Sequence, residues 1–403
     1  MELFWLEHKK LWRKKIVKIC VLLCFVYCVI FGSILLFQWF GFGSSDDYTS
    51  AFGNNFDGYT VIKDSQEYAL SFGGELTDET LQKIVSDYQQ MEADGMGEEL
   101  EKTDWQIVNN WLGTLYPELR DTSNYKTMIS YVDPDKLTGF YERRQQVLDE
   151  FLEVSGQVGA EKEFLHQIER KVEKPFHYEW VEGWSTLLGS MVADLGVVMA
   201  LFLGIVLSSL FAGEWHDNTS TLVLTTRNGW GKIALAKILT GLAFTVELFA
   251  LLAVSNVISQ LFFMGTAGWD MPIQNIKLIA VAPMNMLQAE IYEYAFVLLG
   301  AIGFAGIVMF ISAAVKNNVL TLLLSLAVVY GPMMIAEYLP YGMQKALDLI
   351  PLVGSSTDIF RTNTFRIFGK LIWSPYLLIT IPVLIGILCM PFAIKSWSRR
   401  MKA

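Results

Sequence analysis

Three carboxylates stand in or beside stretches of chain that are otherwise almost wholly apolar. Asp194 and Glu247 fall inside the apolar runs 187–211 and 233–264, and Glu214 lies just past the end of the first. A charge at the centre of a bilayer costs at least ~2.5–3.5 kcal/mol, so an acid at such depth is rarely idle. Asp194 and Glu247 could line a polar path through a membrane, or they could be internal acids held by hydrogen bonds. Other chemistry is harder to assemble. Gly229-Trp-Gly-Lys232 lacks the glycine spacing and the following Ser or Thr of a phosphate-binding loop. His177 and His216 are too isolated to serve as zinc ligands. Cys20, Cys24 and Cys28 repeat every four residues in one apolar run, with Cys389 in another, so they read as small side chains in a helix interface. The expectation is a protein with no catalytic residue, no metal site and no cofactor bound directly.

The elements that position these residues follow from composition. Of 403 residues 53% are hydrophobic and 18% charged, and mean hydropathy is +0.36, which marks an integral membrane protein. Charge is unevenly spread: residues 43–185 hold 29 of the 41 acids but only 12 of the 31 lysines and arginines. An acidic extramembrane part therefore sits on a mildly basic membrane part.

Six runs reach the length of about 20 residues that a ~30 Å hydrocarbon core requires. They are 16–40, 187–211, 233–264, 294–315, 319–338 and 371–394. The first is too long for a signal-peptide core and stays as an anchor. Basic residues gather in 1–15, at Arg227, Lys232 and Lys237, at Lys316 and in the tail 395–403, which puts both termini in the cytoplasm. Pro332 and Pro382 loosen or kink the fifth and sixth spans. The fold class expected is an all-α polytopic membrane protein with six transmembrane helices and a mostly helical extracellular domain between helices 1 and 2.

Between the second and third runs lies a polar connector, 213–231, rich in Thr and opening on Glu214. It suits a short amphipathic helix at the membrane face, with Leu222, Val223 and Leu224 toward the protein and Thr219, Thr221, Thr225 and Thr226 toward water or a partner. Residues 1–15 mix Lys9, Lys10, Arg13, Lys14 and Lys15 with Leu3, Phe4, Trp5, Leu6, Leu11 and Trp12, the composition of a helix lying in the interface.

The run ending Phe211-Ala-Gly-Glu214, the stretch Leu222-Val-Leu-Thr-Thr-Arg227, and Lys232 with Ala236-Lys237 opening the next run together resemble the permeases of ABC-2 type exporters. That resemblance implies a coupling helix at 213–231 seated on a separate ATP-hydrolysing subunit, with 1–15 as an elbow helix beside it. It assigns ATPase coupling to Glu214, Thr219, Leu222, Leu224, Thr225 and Arg227, and the substrate pathway to Asp194 and Glu247. Glu214 is expected to bond Arg227 or a basic residue of the N-terminal helix, so that the connector moves as one body. ATP and Mg would belong to the partner ATPase, present in two copies, with a second permease chain, identical or related, completing the pathway.

The extramembrane region reads as helical. Thr77 can cap a helix through Met91, and Asp133-Pro134 can cap another whose apolar face runs to Val154. A third run, 160–174, ends at Pro175, and Phe176, Trp180 and Trp184 lead into the second span as an aromatic belt. Pro351 divides 341–370 into two short amphipathic pieces, comparable to the re-entrant pair on the outer face of ABC-2 permeases. The leading expectation is an exporter of amphipathic cargo, an antimicrobial peptide, drug or lipid-like molecule, in a bacterial cell membrane, with no nucleic-acid partner. A membrane receptor or scaffold sensing ligands through the outer domain is the alternative. A secondary transporter, the third reading, predicts an inverted repeat that the sequence does not display.

Overall fold

The computed structural model describes residues 2–39, 62–63, 66–67, 73–96, 105–121, 123, 126–188, 192–219, 231–354 and 363–399. The chain opens with helix α1 (Glu2–Arg13), and a bend at Lys14 leads directly into the 25-residue helix α2 (Lys15–Trp39).

A domain follows over 73–188. Strand β1 (Gly74–Leu76) leads into α3 (Asp78–Met91), capped as expected by the Thr77 hydroxyl, which accepts the Thr80 N–H at 3.2 Å. Helices α4 (Trp105–Leu115), α5 (Phe140–Val154) and α6 (Ala160–Glu169) come next. Strand β2 (Phe176–Tyr178) pairs antiparallel with β1. The expected helix from Pro134 to Val154 is divided. Asp133 caps only a 3-10 turn, Pro134–Lys136, and α5 starts after Gly139, whose φ of 72° is left-handed. The cap of α5 comes from another helix: Asp78 accepts the N–H groups of Gly139 and Phe140 at 2.7 and 3.0 Å. Local cap chemistry at Asp133 gave way to a cross-helix cap.

Short helix α7 (Glu182–Thr186) precedes the bundle. Five helices are long and apolar enough to cross a membrane: α8 (Val192–His216), α9 (Lys232–Met264), α10 (Met286–Ala314), α11 (Asn318–Ala336) and, after a further segment, α13 (Ser374–Arg399). α10 starts about two turns before the expected span, at an Asn285–Gln288 capping box that satisfies its first N–H groups. The segment before α13 is not a pair of helices. It is α12 (Tyr341–Leu347), turns to Gly354, and a hairpin of β3 (Thr364–Ile367) and β4 (Lys370–Trp373).

α10 and α13 pack backbone to backbone. A Cβ on Gly306 would fall 2.4 Å from the Gly386 carbonyl oxygen, and one on Gly303 2.3 Å from that of Pro382. Small residues at such a crossing let two helices gain dispersion contact that larger side chains would forbid. α2 lies along α9 and buries Cys20, Cys24 and Cys28, all free thiols, on the face their spacing predicts.

The domain sits on one end of this bundle, the domain face, and is clamped to the 265–285 loop between α9 and α10. Arg144, fully buried, donates to the carbonyls of Leu278 at 2.8 Å and Ala280 at 3.1 Å, and to Glu169 at 2.6 Å. The indole N–H of Trp111 donates to Asn275, and the Asn275 amide donates to the His177 carbonyl. Phe176, Trp180 and Trp184 form no exposed belt. They are buried, and the Trp180 and Trp184 N–H groups are spent on the Met264 and Thr266 carbonyls. The hairpin is tied to the same domain through Thr364–Gln157 and Arg366–Glu161.

Candidate functional site

At the opposite end, the terminal face, α1 crosses α9 beside the last turn of α8. Glu214 occupies that last turn, where the negative end of the helix dipole disfavours an acid. It is 3% exposed, so an unpaired charge there would be strongly destabilising. Three side chains answer it. Lys237 of α9, 1% exposed, donates at 2.7 Å, and Lys10 of α1 at 2.5 Å. The Thr219 hydroxyl donates to the other carboxyl oxygen. Lys237 also reaches Glu7 of α1 at 2.8 Å. Two acids and two ammonium groups thus form a neutral network joining α1, α8, α9 and the first residue of the connector.

The surroundings of that network are set by the same helices. Lys14 donates to the Ser209 hydroxyl at 3.0 Å and to its carbonyl at 3.3 Å. Burial, with Lys237 and Lys10 nearby, holds Lys14 below the ordinary lysine range. For Lys10 burial also works against the charge, but the Glu214 carboxylate outweighs it and holds Lys10 above that range. The Ser312 hydroxyl of α10 donates to the Ser208 carbonyl at 2.7 Å. Lys316 lies over the Trp215 ring at 4.4 Å, and Trp215 and Phe211 pack on Trp397 of α13. Movement of the end of α8 is therefore felt by α1, α9, α10 and α13.

Of the residues singled out from sequence, Glu214 and Thr219 meet in this network. Leu222, Leu224, Thr225 and Arg227 lie outside the described residues, as does the expected amphipathic helix over 220–230. Of the two partners expected for Glu214, the basic residue of the N-terminal helix is the one found among the described residues. Glu247 is drawn to α1 as well. His8 Nε2 lies 3.1 Å from its carboxylate and Trp12 donates to it at 3.1 Å, with the Glu247 side chain 44% exposed. Asp194 stands in the first turn of α8 rather than two turns into a span, because α7 forms a separate helix; its side chain lies outside the described residues.

Sequence reading passed over Lys10, Glu7 and Lys237 as Glu214 partners, and it missed two further acids. Glu290 and Glu293 lie in the first two turns of α10, 4% and 7% exposed, on one helix face. Asn256 and Gln260 of α9, also buried, line the same end of the bundle. Tyr294, one turn on, is the polar side chain that bears on Glu290, yet neither Glu290 carboxyl oxygen receives a hydrogen bond of normal geometry. The signal was present: two acids three residues apart inside an apolar run. It was lost by starting the span at Tyr294. Among the described residues no group of His, Cys, Asp and Glu could hold a metal ion.

No family model, no curated protein and no solved structure matches the chain. Fold and site together define a class: a mostly helical protein built around apolar, membrane-length helices, with a buried charge network at one end and a domain clamped on the other.

Proposed function

We propose that the chain is the permease subunit of an ATP-driven exporter of the ABC-2 type. The observation that carries this reading is the Glu214 network. Thr219 begins the connector, and through Glu214 it is bonded to Lys10 and Lys237, so force on the connector reaches three helices at once. α2, 25 residues long and apolar, serves as a sixth span, and the terminal face lies in the cytoplasm of a bacterial cell, with the 73–188 domain outside. Two ATPase subunits, carrying ATP and Mg, dock on the connector and α1. Two permease chains enclose the pathway, and closure of the ATPases switches it between inward and outward access. Amphipathic cargo fits a path through apolar helices that carry a few buried polar groups.

A membrane receptor is the rival, and one observation favours it: the outer domain is fixed to the α9–α10 loop by Arg144, so a ligand on the domain would also reach the bundle. Co-purification separates the two. The exporter brings down a nucleotide-hydrolysing subunit, and Glu214→Gln lowers cargo-stimulated ATP hydrolysis at least tenfold. If no such subunit accompanies the chain and Glu214→Gln leaves transport intact, the receptor reading prevails.

A further inference from the structure

A groove of about 490 Å³ runs between α1 and the first three turns of α9. Leu3 and Phe4 form one wall, and Leu235, Leu239 and Ala243 the other. Leu235 and Leu239 are about half exposed, so the groove opens sideways. At its mouth stands Lys232, exposed and in no ion pair among the described residues. It is the first residue of α9, whose N-cap, Gly231, offers no side-chain bond to the free N–H groups of the first turn.

We infer that this groove holds one acyl chain of an anionic phospholipid, with the phosphate at Lys232 and the start of α9. Three observations converge on that occupant. From Lys232 to Ala243 the helix rises about 16 Å, close to half of the ~30 Å hydrocarbon thickness and so the depth of one leaflet. The charge lies only at the mouth, where a headgroup would sit, and it is positive, beside a helix N-terminus that attracts anions. Trp5 and Leu6, 62% and 64% exposed, lie next to Leu3 and Phe4 on α1 and suit a helix resting in the headgroup boundary. Glu7, the acid of α1 nearest in sequence to these wall residues, is occupied by Lys237 and leaves the mouth positive. The lipid would wedge α1 against α9 beside the Glu214 network, so α1 would depend on membrane composition for its seat.

The full chain, taken from nanodiscs of equal phosphatidylglycerol and phosphatidylcholine into mild detergent, tests this by native mass spectrometry of the retained lipid. Wild type is expected to retain phosphatidylglycerol in preference by roughly fivefold, the value of one lysine near a membrane surface. Lys232→Glu, a surface change, should bring the retained ratio to that of the bulk lipid. Ala243→Phe, which fills the groove, should lose the tightly held lipid altogether. Added inorganic phosphate should displace none of it. A wild-type ratio equal to the bulk, or an unchanged preference in Lys232→Glu, means annular lipid only and overturns the assignment; the second variant decides even if Ala243→Phe fails to fold.

Discussion

At the terminal face a buried carboxylate, Glu214, collects Lys10, Lys237 and Thr219; at the domain face another, Glu290, collects no hydrogen bond of normal geometry. Both are almost fully buried among apolar helices. The first is a solved electrostatic problem. Its charges cancel, each polar atom has work in holding helices together, and its rigidity suits a joint that transmits force. The second is an open one. It stores a polar group where the bundle gains nothing from it structurally, which is the usual mark of a site kept for something that enters or moves. Burial alone therefore does not say what an acid does; the donors around it do.

The largest effect should come from Glu214→Gln. It leaves Lys237 buried without its main counter-charge, and breaking a buried pair in this way costs about 3–5 kcal/mol. Thermal unfolding in detergent should show a drop in midpoint of several degrees. Much of it should return in the double variant Glu214→Gln with Lys237→Met, since an apolar pair removes both desolvation penalties. If the double variant is as unstable as the single one, the network is not what holds α8 to α9.

A smaller effect is expected from pH at the domain clamp. Burial works against the charge on Glu169, but Lys174 and Arg144 outweigh it and hold the carboxyl below its ordinary value of 4.5. A depressed carboxyl contributes stability that is fully present above 4.5 and is lost as pH falls through its lowered folded value. Hydrogen exchange at Leu278–Ala280 should therefore quicken below pH 4.5, while exchange around Glu169→Gln should already be faster at neutral pH and respond less to acid. An acid response that is the same in both proteins would show that Glu169 does not govern the clamp.

The smallest effect should follow Glu290→Gln. Replacing an acid that receives no hydrogen bond by a neutral amide of the same shape should move stability by no more than about 1 kcal/mol, while transport or ligand response falls. A loss of stability equal to that of Glu214→Gln would erase the contrast between the two clusters.

Much of the architecture was legible in the residues. Apolar runs of membrane length give helices because every backbone polar group must be satisfied inside the segment, and the runs ending near Phe211, Met264 and Val315 are found as helices ending at His216, Met264 and Ala314. Thr77 announced its own cap, and the cysteine spacing announced a buried face. These signals are local, carried by neighbours within a turn or two. The hairpin over 364–373 was missed because Pro351 and short amphipathic runs fit helices as well as strands, and only its tie to Gln157 and Glu161 explains its seat.

The sequence by itself determined that this chain is a set of long apolar helices bearing an acidic domain, because composition and run length decide burial in lipid. Only the tertiary structure decided that Lys10 and Glu214, 204 residues apart, share a bond, and that Lys237 answers Glu7 across 230. It also decided that Trp180 turns inward and Glu290 is left without a donor. Helices that are apolar on all sides carry no mark of which face meets which neighbour. Rotation and crossing are set by packing, such as the glycine contact of α10 with α13, and that packing selects the partners of every buried charge.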